Sequence, residues 1–253
     1  MTRAVRGALG FLTRLPVGHD ESAWDAYTDT PAAMVLVGYL VGGLVAVPVV
    51  AGIELGLPTP VTAFAALVSV YALTGIAHLD GVADCGDAAV VHGDRADRRE
   101  VLKDTTTGVG ALAAVGLVLA GLATGFLAVT ALPLLAAVAI VVASEVGSKT
   151  AMTWLVGRGD APHEGFGQAL TSQSGAGTAA LGLVLAVPVG FIGLGAGTPA
   201  PVGSLVAALA VAVVAHRWAA THLGGVNGDV FGAANELARV AGLHAGVVLW
   251  TLW

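Results

Sequence analysis

Residues 59–87 read TPVTAFAALVSVYALTGIAHLDGVADCGD. The first part, 59–77, is apolar and long enough to cross the hydrocarbon of a bilayer, which takes about 17–25 residues. The second part carries Asp80, Asp84 and Asp87. Ionised side chains are costly in or beside hydrocarbon, so three acids at the end of a span need a cation, water or basic partners. An apolar run that ends in acids predicts a membrane protein with a site at the membrane edge.

The rest of the chain agrees with that reading. Of 253 residues, 56% are hydrophobic and 11% charged, whereas a typical soluble domain has about 25% charged. The mean hydropathy is +0.85. Apolar segments recur at 33–53, 59–77, 109–129, 131–146, 178–197 and 201–215, and a seventh at 240–253 is long enough only if it begins near Val230. These predict an all-α fold: one integral membrane domain over 1–253, a bundle of six to seven transmembrane helices. Gly38, Gly42 and Gly43 predict a small-residue surface for close helix packing. The Arg-bearing first 20 residues lack a long apolar core, so a cleaved signal peptide is not expected.

Charge sets orientation and narrows the partners. Polar connections are expected at about 78–108, 147–177 and 216–239, and the basic residues fall in them or before the first span. Positively charged connections stay on the cytoplasmic side of the cell membrane, so the three meet there and assemble one site, with membrane lipid around the bundle. The net charge of −6 argues against a nucleic-acid binder. A single cysteine, Cys85, excludes an intrachain disulfide and a cysteine zinc site.

On a helix Asp80, Asp84 and Asp87 fall at i, i+4 and i+7, on one stripe. Their carboxylates repel unless they share a cation or one is protonated. Hard divalent ions such as Mg²⁺ take oxygen ligands, retain water and bind substrate phosphates, so the stripe suits a phosphate-bridging metal site. Gly81 and Gly86 mark a closely approached or broken backbone. His78 projects away from the acids, and a general base, a phosphate hydrogen-bond donor and a core histidine are all open for it. Arg95, Arg98, Arg99 and Lys103 are mixed with acids as on an interfacial helix, yet suit anionic oxygens. Thr105, Thr106 and Thr107 are candidates to cap the next helix, and Gly108 and Gly110 to turn backbone N–H groups towards phosphate. The segment with Glu145, Lys149, Arg158, Asp160, His163 and Glu164 reads as solvated charge beyond the fourth span. Asp229 and Glu236, seven apart, form a second acidic pair placed to converge on the first.

Three segments resemble the cobalamin synthase family, also called adenosylcobinamide-GDP ribazoletransferases. They are HLDGVADCGD at 78–87, LKD at 102–104 with TGVG at 107–110, and GGVNGDVFGAANE at 224–236; FLTRLPV at 11–17 is similar to that family's opening. Cys85-Gly86 before Asp87, and Ala88 after it, depart from the family pattern. The resemblance implies a membrane enzyme that joins α-ribazole or its 5′-phosphate to adenosylcobinamide-GDP. It would release GMP and form adenosylcobalamin or its 5′-phosphate, with Mg²⁺. It implies Asp80, Asp84 and Asp87 as metal ligands, with further roles for Asp104, Asp229 and Glu236. In that chemistry His78 or an uncoordinated Asp is a candidate proton acceptor, and Arg95, Arg98, Arg99 or Lys103 hold phosphate. A cation- or proton-coupled transporter is the competing class. A CDP-alcohol phosphotransferase ranks lower, because Asp80-Gly81 leads through Val82-Ala83 to Asp84 and lacks the Ala-Arg of that signature.

Overall fold

The computed structural model describes residues 1–18 and 20–253, and among them the regular elements are all helical. Two short amphipathic helices come first, α1 (Thr2–Leu12) and α2 (Glu21–Asp29). Ala4, Ala8 and Leu12 bury one stripe of α1 while Arg3 and Arg6 stay exposed, and Arg6 pairs with Asp20 at 3.1 Å. A 3₁₀ turn, Pro31–Ala33, leads into α3 (Met34–Glu54), and α4 (Thr59–Thr74) follows. Then come α5 (Ala77–Val90), the short α6 (Arg95–Val101), α7 (Val109–Val129) and α8 (Leu134–Arg158). The chain ends with α9 (Phe166–Thr171), α10 (Ala176–Ala186), α11 (Pro188–Gly195), α12 (Ala200–His222) and α13 (Gly228–Leu252).

Five segments are long and apolar enough to cross a membrane: Pro31–Glu54, Val109–Val129, Leu134–Arg158, Ala176–Gly195 and Ala200–His222. The helices α4 and α5 meet that criterion only as a pair, across a 95° bend. The fold is therefore a polytopic helix bundle. The expected fourth span, 131–146, ends too early: α8 runs on to Arg158, so the polar connection foreseen at 147–177 begins only at Gly159. Likewise, 78–108 holds α5 and α6, and 216–239 is the end of α12, a short turn and the start of α13.

The centre of the bundle is α8. In its most apolar stretch 83% of residues are buried, against 22% in Ala200–His222. It packs against α3, α10, α12 and α13. Close approach needs small residues: a Cβ on Gly38 would lie 2.9 Å from the Glu145 carbonyl oxygen, and one on Gly42 2.9 Å from Val142 Cα. Gly43 has nothing within 4 Å of that position, so the packing surface expected of three glycines uses two.

Candidate active site

The site is built on a corner. At Gly75 the backbone takes φ +70, a conformation that favours glycine, and α5 leaves α4 there. The FLTRLPV segment seats against this corner, where Arg14 N–H donates to the Leu73 carbonyl at 2.7 Å. The acids are carried by α5, which runs at 95° to the apolar α4.

Helix α13 crosses α5 at Gly81, where a Cβ would stand 2.6 Å from the Asp229 carbonyl oxygen. That contact brings Asp229 to the acids of α5. Burial, and then the charges of Asp229, Asp80 and Asp87, push the half-buried Asp84 carboxyl up to about 6. Asp229 is held by Asn227, whose side-chain N–H donates to it at 2.8 Å and whose oxygen accepts from Val230 N–H at the start of α13. Asp80 is exposed. The convergence expected of Asp229 on the first acidic group is thus present in the fold.

Asp87 has a different setting. Its two oxygens accept the backbone N–H of Gly108 at 2.7 Å and of Ala111 at 2.8 Å, so a side chain from α5 caps α7, where its charge also suits the helix dipole. Of Gly108 and Gly110, expected to turn their N–H groups towards phosphate, Gly108 gives its N–H to this carboxylate, and none of the three threonines supplies the cap. Among the described residues no group of three or more His, Cys, Asp or Glu side chains is placed to hold a metal ion. Asp80, Asp84 and Asp229 supply hard oxygens whose mutual repulsion a cation would relieve. Mg²⁺ is usually held by only one or two carboxylates, with water and substrate phosphate completing the shell, a chemistry that the oxygens of Asp84 and Asp229 suit without a complete protein cage.

The basic residues brace helix ends. Arg98 donates to the Ala88 carbonyl at 2.6 Å at the end of α5, and Arg95 to the Thr221 carbonyl at 2.9 Å at the end of α12. Both put positive charge at a helix C-terminus. Arg99 bonds back to the Arg95 carbonyl within α6. Lys103 and Asp104 line a hollow of about 550 Å³ with Asp97 and Glu100. Asp104 accepts from Thr106 N–H at 3.0 Å, and backbone and hydroxyl donors of Thr106 hold its carboxyl below the usual range. It stands apart from Asp84, whose charged neighbours are Asp80, Asp87 and Asp229.

Glu236 belongs to a buried network that reading along the sequence missed. Arg239 joins Glu145 and Glu236, each at 2.5 Å, and Lys149 donates to Asn235 Oδ1 at 2.7 Å and lies 3.5 Å from Glu145. Asn235 in turn reaches Glu236 and His78, and Tyr71 O–H donates to Glu236 at 3.3 Å. Glu145, Lys149, Asn235, Glu236 and Arg239 are all 0% exposed, so Glu145 and Lys149 are core groups of α8 and not solvated loop charge. The signal was available in opposite charges at helical spacing, Glu145 with Lys149 and Glu236 with Arg239, inside otherwise apolar helices.

An apolar hollow of about 890 Å³ lies between α7 and α12 with α5 and α13 as its floor. Cys85, next to Asp84, is in its wall together with Ala114, Val211, Trp218 and Val230. The acids therefore adjoin a surface suited to uncharged groups.

Residues 4–247 match the family model described as cobalamin-5-phosphate synthase. The chain is 51% identical to the adenosylcobinamide-GDP ribazoletransferase of Halorubrum lacusprofundi, over 98% of each chain. It is 43% identical to that of Haloquadratum walsbyi, again over 98% of each. With the Halobacterium salinarum protein of the same description it shares 55% identity over 78% of this chain and 98% of the relative. No solved structure matches it.

Proposed function

This chain belongs to the cobalamin-5-phosphate synthase family, and from that premise we propose that it is an adenosylcobinamide-GDP ribazoletransferase. It transfers the adenosylcobinamide phosphate moiety of adenosylcobinamide-GDP to α-ribazole or α-ribazole 5′-phosphate. GMP leaves, and adenosylcobalamin or its 5′-phosphate forms. The observation that carries this reading is likeness over nearly the full length, 51% identity to a relative of that description. The acidic corner of α5 and α13 is the matching chemistry.

In the transfer, an acceptor hydroxyl oxygen bonds to the phosphorus attached to the cobinamide, and the pyrophosphate bond to GMP breaks. Negative charge gathers on the phosphoryl oxygens and on the departing GMP. Asp80, Asp84 and Asp229 are the residues that would hold Mg²⁺, with Asp87 adjoining them from the α7 cap. When bound, the ion neutralises phosphoryl oxygens and leaving-group charge. Anionic oxygens of the substrate are assigned to Lys103 and to the guanidinium N–H groups of Arg95, Arg98 and Arg99 that do not brace helix ends. Glu236 acts from the core, with Arg239 and Asn235, as a positioning group, and Asp104 orders the loop that follows α6. Direct displacement is the preferred course, with a phosphoryl-enzyme on an acidic nucleophile as the alternative.

The chain forms one integral domain in the cell membrane. To the five apolar spans we add α4 as a sixth and α13 as a seventh, with the site on the cytoplasmic side. The placement of Arg95, Arg98, Arg99, Lys103, Arg158 and Arg217 supports that orientation.

The test is product formation by purified protein in lipid. Adenosylcobinamide-GDP and α-ribazole should release GMP only when both are present with Mg²⁺. A folded preparation that forms no product across several divalent metals and lipids would sink the reading.

A further inference from the structure

We propose that Phe166 stacks on the flat, uncharged base of the acceptor nucleoside, α-ribazole, and so helps to select that acceptor. The assignment rests on the ribazoletransferase reading above. It starts from the chain between α8 and α9, which is seated against the turn that leads into α13. Val226 N–H donates to the Asp160 carbonyl at 2.9 Å. A Cβ on Gly167 would stand 2.9 Å from Asn227 Cα, and one on Gly228 would stand 3.9 Å from Phe166 Cβ. Phe166 therefore abuts the residue before Asp229, whose carboxylate Asn227 holds at 2.8 Å. His163, on the same connection, is near enough for its charge to act on that carboxylate.

The ring of Phe166 is braced from the other side. Its centroid lies 5.3 Å from that of Phe11 in α1 and 6.0 Å from that of Trp24 in α2, with the ring planes at 49° and 76°. Tilted and edge contacts of this kind leave ring faces free. Large apolar rings are mostly buried, yet Phe166 is 57% exposed with two aromatic neighbours against it. A ring that is both fixed and open loses little freedom when a second ring lies on it.

Charge and connectivity choose the occupant. The exposed residues near Trp24 and Phe166 in sequence include Glu21, Asp25 and Glu164. Carboxylates oppose an anionic lipid surface and phosphate groups alike, so an uncharged ring suits the place. Donor and acceptor each bring an aromatic base. In adenosylcobinamide-GDP, guanine lies beyond a ribose and a phosphate from the phosphorus that is attacked. In α-ribazole, a single ribose separates the base from the attacking hydroxyl. An aromatic face that abuts the residue before Asp229 therefore matches the acceptor. Phe166 binds and orients, and exchanges no proton.

Steady-state kinetics of four variants in lipid test this. Phe166→Ala and Phe166→Leu remove the aromatic face and should raise KM for α-ribazole roughly ten- to hundredfold, the effect of one base–aromatic stack. Their kcat should change little, as for a contact made equally in ground and transition states. Phe166→Trp and Phe166→Tyr keep the face and should stay near wild type. KM for adenosylcobinamide-GDP should not move in any of the four. The assignment is overturned if Phe166→Ala keeps the wild-type KM for α-ribazole, or if Phe166→Leu serves as well as Phe166→Trp, which would mark a packing role. A KM change confined to adenosylcobinamide-GDP would overturn it in favour of guanine, and lost membrane insertion without a KM change in favour of a lipid anchor. Wild-type protein that releases no GMP would instead refute the ribazoletransferase reading; wild-type turnover with an unmoved KM in the variants refutes only the stack.

Discussion

Asp84 and Asp87 sit less than one turn apart on α5 and face different tasks. Asp84 is crowded by Asp80, Asp87 and Asp229, whereas both oxygens of Asp87 meet backbone N–H groups of α7. Asp84→Asn should lower kcat at least about 100-fold or sharply raise the Mg²⁺ requirement, with membrane insertion intact. Near-normal rates with unchanged metal dependence would contradict the ligand role. Asp87→Ala should act first on stability, costing about 1 kcal/mol as a lost helix cap, read by thermal unfolding. The raised Asp84 value fixes a sign: its charge opposes folding once ionised, so its destabilising effect grows from about pH 4 and is complete above about 6. Added Mg²⁺ should therefore raise Tm more at pH 7.5 than at pH 5.5, and an equal gain at both would count against the site.

At the scale of elements, crossings decide which residues meet. The α5–α13 contact needs Gly81, since a Cβ there would meet the Asp229 carbonyl; Gly81→Val should separate the two acidic groups and lower activity while the helix content by circular dichroism stays unchanged. The buried network ties α8 to α13. Removing one partner of a buried ion pair leaves an uncompensated charge, so Glu145→Gln should cost about 3–5 kcal/mol. The double variant Glu145→Met/Arg239→Met should recover part of that loss in unfolding measurements. Glu236 illustrates a limit of reading along one helix. Its spacing from Asp229 is visible in sequence, but the arginine that shares its helix and the glutamate that shares this arginine are joined only by α8 lying against α13.

For the whole molecule the prediction is topological. Reporters near Val91 and Pro199 should fall on opposite sides of the membrane, with Val91 cytoplasmic; the same side for both would overturn the map. The spans at 33–53 and 109–129 were legible because an uninterrupted apolar run has few alternatives in a bilayer. The fourth was cut short at Val146 because Lys149 reads as a loop charge, and in the fold its ammonium is met by Asn235 and Glu145.

Composition, hydropathy and charge distribution by themselves determined an all-helical membrane protein, and motif spacing picked out the acids of 80–87 together with Asp229. These follow from transfer free energies and helical periodicity, which act locally along a chain. Tertiary structure alone decided that Asp229 joins Asp84, that Asp87 turns to α7, and that Asn235 ties His78 to the buried network. Each of those depends on helix crossings between segments far apart in sequence, where a few ångströms determine whether two carboxylates repel, a cap forms or an amide reaches its partner.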